Sequence, residues 1–135
     1  MLFTELDQRM NEPIIHDYFT LLNQSNFIAT ANLFSEQGVL KPPFEKMILG
    51  RSAIAQYLEK EALGIKVFPT HIKTTTSDRN CNQYQVQGKV KTDYFTVNAS
   101  WLIKLNVAKE ITLIEIQLLE NLVDLLAFKL AFKHH

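Results

Sequence analysis

The sequence predicts an α+β fold in which helices pack on one concave face of a curved sheet. Three observations predict it. Apolar residues recur at helical spacing up to Gly64. After Gly64 the period changes to two, which is the repeat of strands. The clearest strand runs from Phe95 to Leu105, where Phe95, Val97, Ala99, Trp101, Ile103 and Leu105 alternate with Thr96, Asn98, Ser100, Leu102 and Lys104. That alternation puts six apolar residues on one face, including the only tryptophan. Its indole N–H needs an acceptor, which either a core backbone carbonyl or a ligand carbonyl can supply.

Each element has its own signals. Residues 1–12 read as a short amphipathic lead carrying Leu2, Phe3, Leu6 and Met10. Asn11-Glu12-Pro13 starts a helix, with Asn11 as cap and Pro13 in the first turn, where a missing N–H costs little. Ile14, Tyr18 and Leu22, supported by Ile15 and Phe19, form its buried stripe to about Asn23. Ser25 caps a second helix carrying Phe27, Ala31 and Phe34, with Gly38 in the left-handed closing position. Val39-Leu40 is a short strand entering the rigid Pro42-Pro43-Phe44 loop. Gly50-Arg51-Ser52 opens a third helix with the stripe Ile54, Leu58 and Ala62, closed by Gly64.

The second half alternates. Ile65 to Thr76 is strand-like, with Pro69 marking a bend or an edge position. Residues 77–82 are turn chemistry and contain Cys81. Tyr84, Val86, Val90 and Tyr94 alternate with polar residues to give the next strand, and Tyr94-Phe95 sits where it must turn into the Trp101 strand. Asn106 to Glu110 is a turn, and Ile114, Ile116 and Leu118 face inward from the last strand. Residues 121–132 read as a C-terminal amphipathic helix with a wide apolar arc. His134-His135 fit either a native end or the stub of a purification tag.

Composition excludes several functions. With 135 residues the chain makes one domain, large enough for a core or a modest pocket. Fourteen Lys+Arg balance fourteen Asp+Glu without a basic stripe, which argues against nucleic acid as a partner. One cysteine cannot form an internal disulfide and suits a reducing compartment. The first residues lack the charged start and apolar run of a signal peptide, and no run reaches the length of a membrane span. The expectation is a soluble cytoplasmic domain.

Catalytic signals are sparse. The inward strand positions hold neither an acid nor a histidine, so they offer no general acid or base. His16 and Asp17 flank Tyr18 but point away from its stripe, and His71 sits beside the Pro69 bend. No metal spacing links the four histidines with Cys81, and there is no nucleophile elbow or phosphate-binding glycine loop. A cone of this kind encloses a pocket between the first helix and the sheet, lined by apolar groups with Tyr18 and Trp101 as donors. Such a site suits a long, apolar, carbonyl-bearing molecule. An inward tyrosine is equally a common core residue.

The residues carry a resemblance. Asn26-Phe27 through Leu33-Phe34, Gly38-Val-Leu-Lys-Pro-Pro-Phe44, Ile48-Leu-Gly-Arg51, Gly88-Lys-Val-Lys-Thr92, Asn98-Ala-Ser-Trp101 and Ile116-Gln-Leu-Leu119 are similar to one family. The chain resembles stand-alone homologues of the C-terminal domain of the cyanobacterial orange carotenoid protein, within the NTF2-like superfamily. The match spans roughly residues 14–128. The resemblance implies a cone with N-terminal helices on the concave face of an antiparallel or mixed sheet, residues 1–135 forming one carotenoid-binding domain with a helical tail at about 121–132.

The resemblance also implies the ligand. Tyr18 and Trp101 match the pair that donates hydrogen bonds to the keto oxygen of the pigment ring, and Tyr94 matches a tryptophan at the pocket mouth. Leu22, Phe95, Val97 and Ile116 complete the expected ligand-binding set. The cofactor implied is a ketocarotenoid such as canthaxanthin or echinenone, shared between two protomers of a homodimer. The function implied is non-enzymatic: to solubilise the pigment, hand it to helical-domain carotenoid proteins and quench singlet oxygen, with transient membrane contact for uptake. Two other readings share the cone. One is an enzyme of the ketosteroid-isomerase or dehydratase kind, which needs an inward carboxylate. The other is a protein-interaction domain with structural Tyr and Trp. The family's two-domain light-driven activity also needs a helical domain, and the expectation for this chain does not include it.

Overall fold

The computed structural model describes residues 12–77 and 82–119, with side chains 75–77 excepted. The amphipathic lead, the Asn11 cap, Cys81, the helix expected over 121–132 and the terminal histidines lie outside the described residues. Helix α1 spans Pro13–Asn23, α2 Phe27–Ala31 and α3 Arg51–Glu61. The strands are β1 Phe34–Lys41, β2 Ile48–Leu49, β3 Lys66–Ser77, β4 Asn82–Lys91, β5 Thr96–Leu105 and β6 Ile111–Leu118. They form one six-stranded sheet in the order β2-β1-β6-β5-β4-β3, not closed into a barrel. The β1–β6 pair is parallel and every other pair is antiparallel, so the sheet is mixed. The fold is α+β, as the change of period implies.

The helices cover one face. Ile15, Tyr18, Phe19 and Leu22 are the buried residues of α1, while Ile14 is only half-buried. The core they meet on β5 is Val97, Ala99, Trp101, Ile103 and Leu105. Trp101 stands at the centre of the sheet, opposite Val86 of β4 and Ile116 of β6. Asn23 anchors the end of α1 to β3 in both directions. Its Nδ2 donates to the Val67 carbonyl at 2.8 Å and its Oδ1 accepts from the Val67 amide at 2.7 Å. These bonds complete strand pairing that the edge of the sheet would otherwise leave open, and they fix how α1 crosses the sheet.

The region from residue 24 to residue 44 departs from the sequence reading. Asn26, not Ser25, caps α2, its side chain accepting from the Ala29 amide. Ser25 instead takes a left-handed φ of 57° in the turn before it. The helix stops at Ala31, and Phe34 opens β1 rather than closing a helical stripe. Gly38 is therefore a strand residue with no left-handed φ. Its register shift against β6 explains the glycine, since a Cβ there would sit 2.9 Å from Phe34 Cβ and 3.0 Å from the Ile111 carbonyl oxygen. Local helical spacing lost to pairing with β6, which lies more than seventy residues away. At the start of α1, Glu12 holds the cap position without a side-chain capping bond, and Pro13 stands in the first turn. Gly50 and Gly64 have φ of 90° and 85° at the two ends of the α3 segment, as their positions imply.

Pro69 marks both a bend and an edge. β3 is the last strand of the sheet, and its pairing with β4 shifts between Pro69 and His71. Such shifts bend a strand. β4 meets the bend with Gly88, where a Cβ would lie 2.3 Å from the Phe68 carbonyl oxygen and 2.7 Å from Pro69 Cα. Both contacts are backbone and cannot swing away. Gly88→Ala is accordingly expected to destabilise the fold by at least about 1 kcal/mol, read as a lower midpoint in urea unfolding. An unchanged midpoint would show that β3 separates from β4 at no cost.

Candidate functional site

A cavity of about 80 Å³ opens between α1, α3 and the sheet. Tyr18 and Leu22 enter it from α1, Trp101 from β5, and Ile116 and Leu118 from β6. Leu40 and the Pro42-Pro43-Phe44 loop line another side, with Tyr57, Leu58 and Ala62 from α3. Ile65, Val67 and Val90 complete the lining. No lining residue is an acid or a histidine. The side-chain polar groups carried by the lining residues are two phenols and one indole.

Aromatic packing holds the inner pair. Phe19 stands edge-on to both Tyr18 and Trp101, with ring centroids 5.1 Å from each. Tyr18 also meets Phe34 edge-on at 6.4 Å. These are the favoured offset geometries of aromatic pairs, and they leave each ring little freedom to turn. Tyr18 and Trp101 are each 1 % exposed. Among the described residues no hydrogen bond engages the Tyr18 hydroxyl or the Trp101 indole N–H, although both side chains border the cavity. Burial pushes the Tyr18 phenol well above its ordinary range, so it stays protonated and able to donate.

The expected ligand set divides. Tyr18, Leu22, Trp101 and Ile116 come together on this cavity, whereas Tyr94, Phe95 and Val97 do not line it. Val97 is buried in β5 opposite Val90. Phe95 is half-buried just before β5. Tyr94 stands at the expected turn, and the alternation of β4 stops short of it at Lys91. It lies in the β4–β5 connection and is 70 % exposed. Thr92 causes the reversal: its Oγ1 accepts from the amides of Tyr94 and Phe95 at 3.2 and 3.0 Å, and its own amide donates to the Phe95 carbonyl at 2.8 Å.

Two features escaped the sequence reading. Tyr57 lines the cavity from α3, and its place three residues after Ile54 and one before Leu58 was the available signal. The Pro-Pro-Phe loop was read as rigid but not as cavity wall. Phe44 in it has φ 69° and is 42 % exposed, a strained backbone for a bulky residue. His71 lies on the exposed edge strand, where its Nδ1 is 3.0 Å from Thr70 Oγ1, and it takes no part in the cavity. No group of metal-ligating side chains occurs among the described residues.

Comparison with known proteins adds ancestry to this geometry. The chain is 30 % identical over 116 residues to the orange carotenoid-binding protein of a Synechocystis species, an alignment covering 83 % of this chain and 37 % of that protein. The structure of the orange carotenoid protein from Anabaena (Nostoc), described as binding canthaxanthin, superposes with a TM-score of 0.77 at 30 % identity, covering 87 % of this chain and 39 % of that one. The chain is a homologue of the orange carotenoid protein's C-terminal domain. It spans little more than a third of the length of these relatives. An NTF2-like protein from Cytophaga hutchinsonii matches with a TM-score of 0.65 at 18 % identity, over 84 % of this chain and 91 % of that one, which places the fold among NTF2-like proteins. No protein-family model matches the chain.

Proposed function

We propose that this cavity seats the keto-bearing ring of a carotenoid and that the chain is a non-enzymatic carrier of that pigment. The observation that carries the reading is the pairing of Tyr18 and Trp101 on one apolar cavity, in a homologue of a carotenoid protein. A keto oxygen has two lone pairs and accepts from two donors. Tyr18 and Trp101 are the innermost donors, each without a hydrogen bond among the described residues. The lining suits the ring and the start of a polyene. Its chemistry fits the pigment, but its volume of about 80 Å³ is well under the roughly 300–1,000 Å³ of ligand pockets. Ring entry therefore requires the wall to move, and the half-exposed Phe44 loop is the wall nearest solvent.

The ring end is only a fraction of a carotenoid. Leaving the rest in water forfeits about 25 cal/mol for each Å² of apolar surface, so one pigment bridging two copies of the chain is the favoured holo form. A carrier of this kind would pass its pigment to a helical-domain carotenoid protein. An isomerase or dehydratase on the same fold needs an inward acid or base, and this cavity lining has neither.

Production of the protein in cells that make canthaxanthin is expected to yield coloured dimers with one pigment per two chains. Absorbance combined with light scattering reads this ratio. Colourless protein would overturn the reading, and a coloured monomer with one pigment per chain would overturn the shared-pigment form.

A further inference from the structure

We infer that Tyr57 is a specificity-determining residue of this cavity, placed to read a hydroxyl on the ring carbon next to the keto group, so that an α-hydroxyketone ring is held over a plain ketone ring. The inference rests on the proposed pigment site and names the ring chemistry it selects.

Counting donors leads to it. Three of the lining side chains carry a polar tip: the Tyr18 phenol, the Trp101 indole and the Tyr57 phenol. A keto oxygen saturates at two donors, and the two deeply buried ones suffice. The third tip then has no role towards a plain ketone. Among the described residues no hydrogen bond engages the Tyr57 hydroxyl either. An unpaired phenol in an apolar wall lowers affinity for any ligand that displaces its water without replacing the bond.

Chemistry says what would replace it. The indole N–H can only donate, whereas a phenol donates and accepts, as a ligand hydroxyl does. Tyr57 shares the lining of one small cavity with Tyr18 and Trp101, so the partner sought for Tyr57 is an oxygen close to the keto oxygen. Tyr57 is half-buried, while Tyr18 and Trp101 are 1 % exposed. It therefore stands at the wetter side of the end group, where a hydroxyl is cheaper to bury. Burial first, and then the charge of Glu61, hold its phenol in the protonated form.

The test compares two pigments on the full chain. Canthaxanthin carries plain ketone rings, and astaxanthin carries the α-hydroxyketone on both. Wild-type protein is expected to retain astaxanthin roughly 2- to 13-fold more tightly, the worth of one neutral hydrogen bond. Tyr57→Phe is expected to abolish that ratio, weakening astaxanthin retention and raising canthaxanthin retention, without lowering the thermal midpoint of the apo-protein. Equal retention of the two pigments by wild type, or a ratio that survives in Tyr57→Phe, would overturn the inference while the pigment site stands. Retention of neither pigment would remove the site itself, and the inference with it. If Tyr57→Phe unfolds, Tyr57→Met, which fills similar space without a hydroxyl, must abolish the astaxanthin preference. An undiminished ratio there also overturns the role.

Discussion

The Tyr18→Phe/Trp101→Phe double variant is expected to lose canthaxanthin about 5- to 150-fold more readily than wild type, the worth of two neutral hydrogen bonds together. Retention of β-carotene, which has no keto oxygen, should change far less. The single variants separate a ligand role from a core role. A core tyrosine whose hydroxyl is satisfied by the protein loses stability when that hydroxyl is removed. The Tyr18 hydroxyl has no such bond among the described residues, so Tyr18→Phe should leave the unfolding free energy of the apo-protein unchanged or slightly raised. Trp101→Phe shrinks a fully buried ring against Phe19 and costs about 1–3 kcal/mol of stability besides. The decisive measurement is titration of both pigments into apo-protein, followed by visible absorbance. Equal losses for canthaxanthin and β-carotene would mean that the two rings act through packing alone.

How much of this was legible in the sequence depended on the range of the forces involved. The inner face of β5 was readable because every second residue from Val97 to Leu105 is apolar and buried. The ends of α3 were readable because Gly50 and Gly64 take backbone angles that other residues avoid. Phe34 was misread because its spacing from Phe27 and Ala31 fits a helix, while the force that makes it a strand is parallel pairing with Ile111. The turn at Tyr94-Phe95 was legible, but period two ran on past Lys91, where the Thr92 hydroxyl ends the strand by local bonds. At the cavity, Tyr18, Leu22, Trp101 and Ile116 were expected from their inward facing together with the family resemblance, and all four line it. Tyr57 and the Pro-Pro-Phe loop required knowing how α3 and a loop close over the sheet. Glu12 was invisible for the same reason, since its partners come from a distant strand and a distant turn of the chain.

Those partners carry a last prediction. Glu12 is 6 % exposed and lies immediately before α1. Its Oε1 accepts from the Tyr84 hydroxyl of β4 at 3.0 Å and from the Lys109 ammonium of the β5–β6 turn at 2.6 Å. One carboxyl group thus ties the start of the cavity's first helix to two parts of the sheet. Glu12→Ala leaves the buried Tyr84 hydroxyl without its acceptor and should destabilise the fold by about 1–3 kcal/mol. The bond to Lys109 adds less, because that ammonium is half-exposed and screened by solvent. Glu12→Gln keeps an acceptor and should cost less than alanine. The pair also sets an alkaline limit. Burial first, then the bond to Glu12 and its charge, push the Tyr84 phenol from its ordinary value of 10.0 up to about 12. The folded protein therefore holds this proton more tightly than the unfolded chain does. That contribution to stability is fully present below pH 10, and it is lost as pH rises towards 12. Urea midpoints measured from pH 8 to 12 should fall above pH 10 in wild type and fall less steeply in Glu12→Gln, whose Tyr84 has lost the neighbouring charge. Parallel curves for the two proteins would show that Tyr84 owes nothing to Glu12.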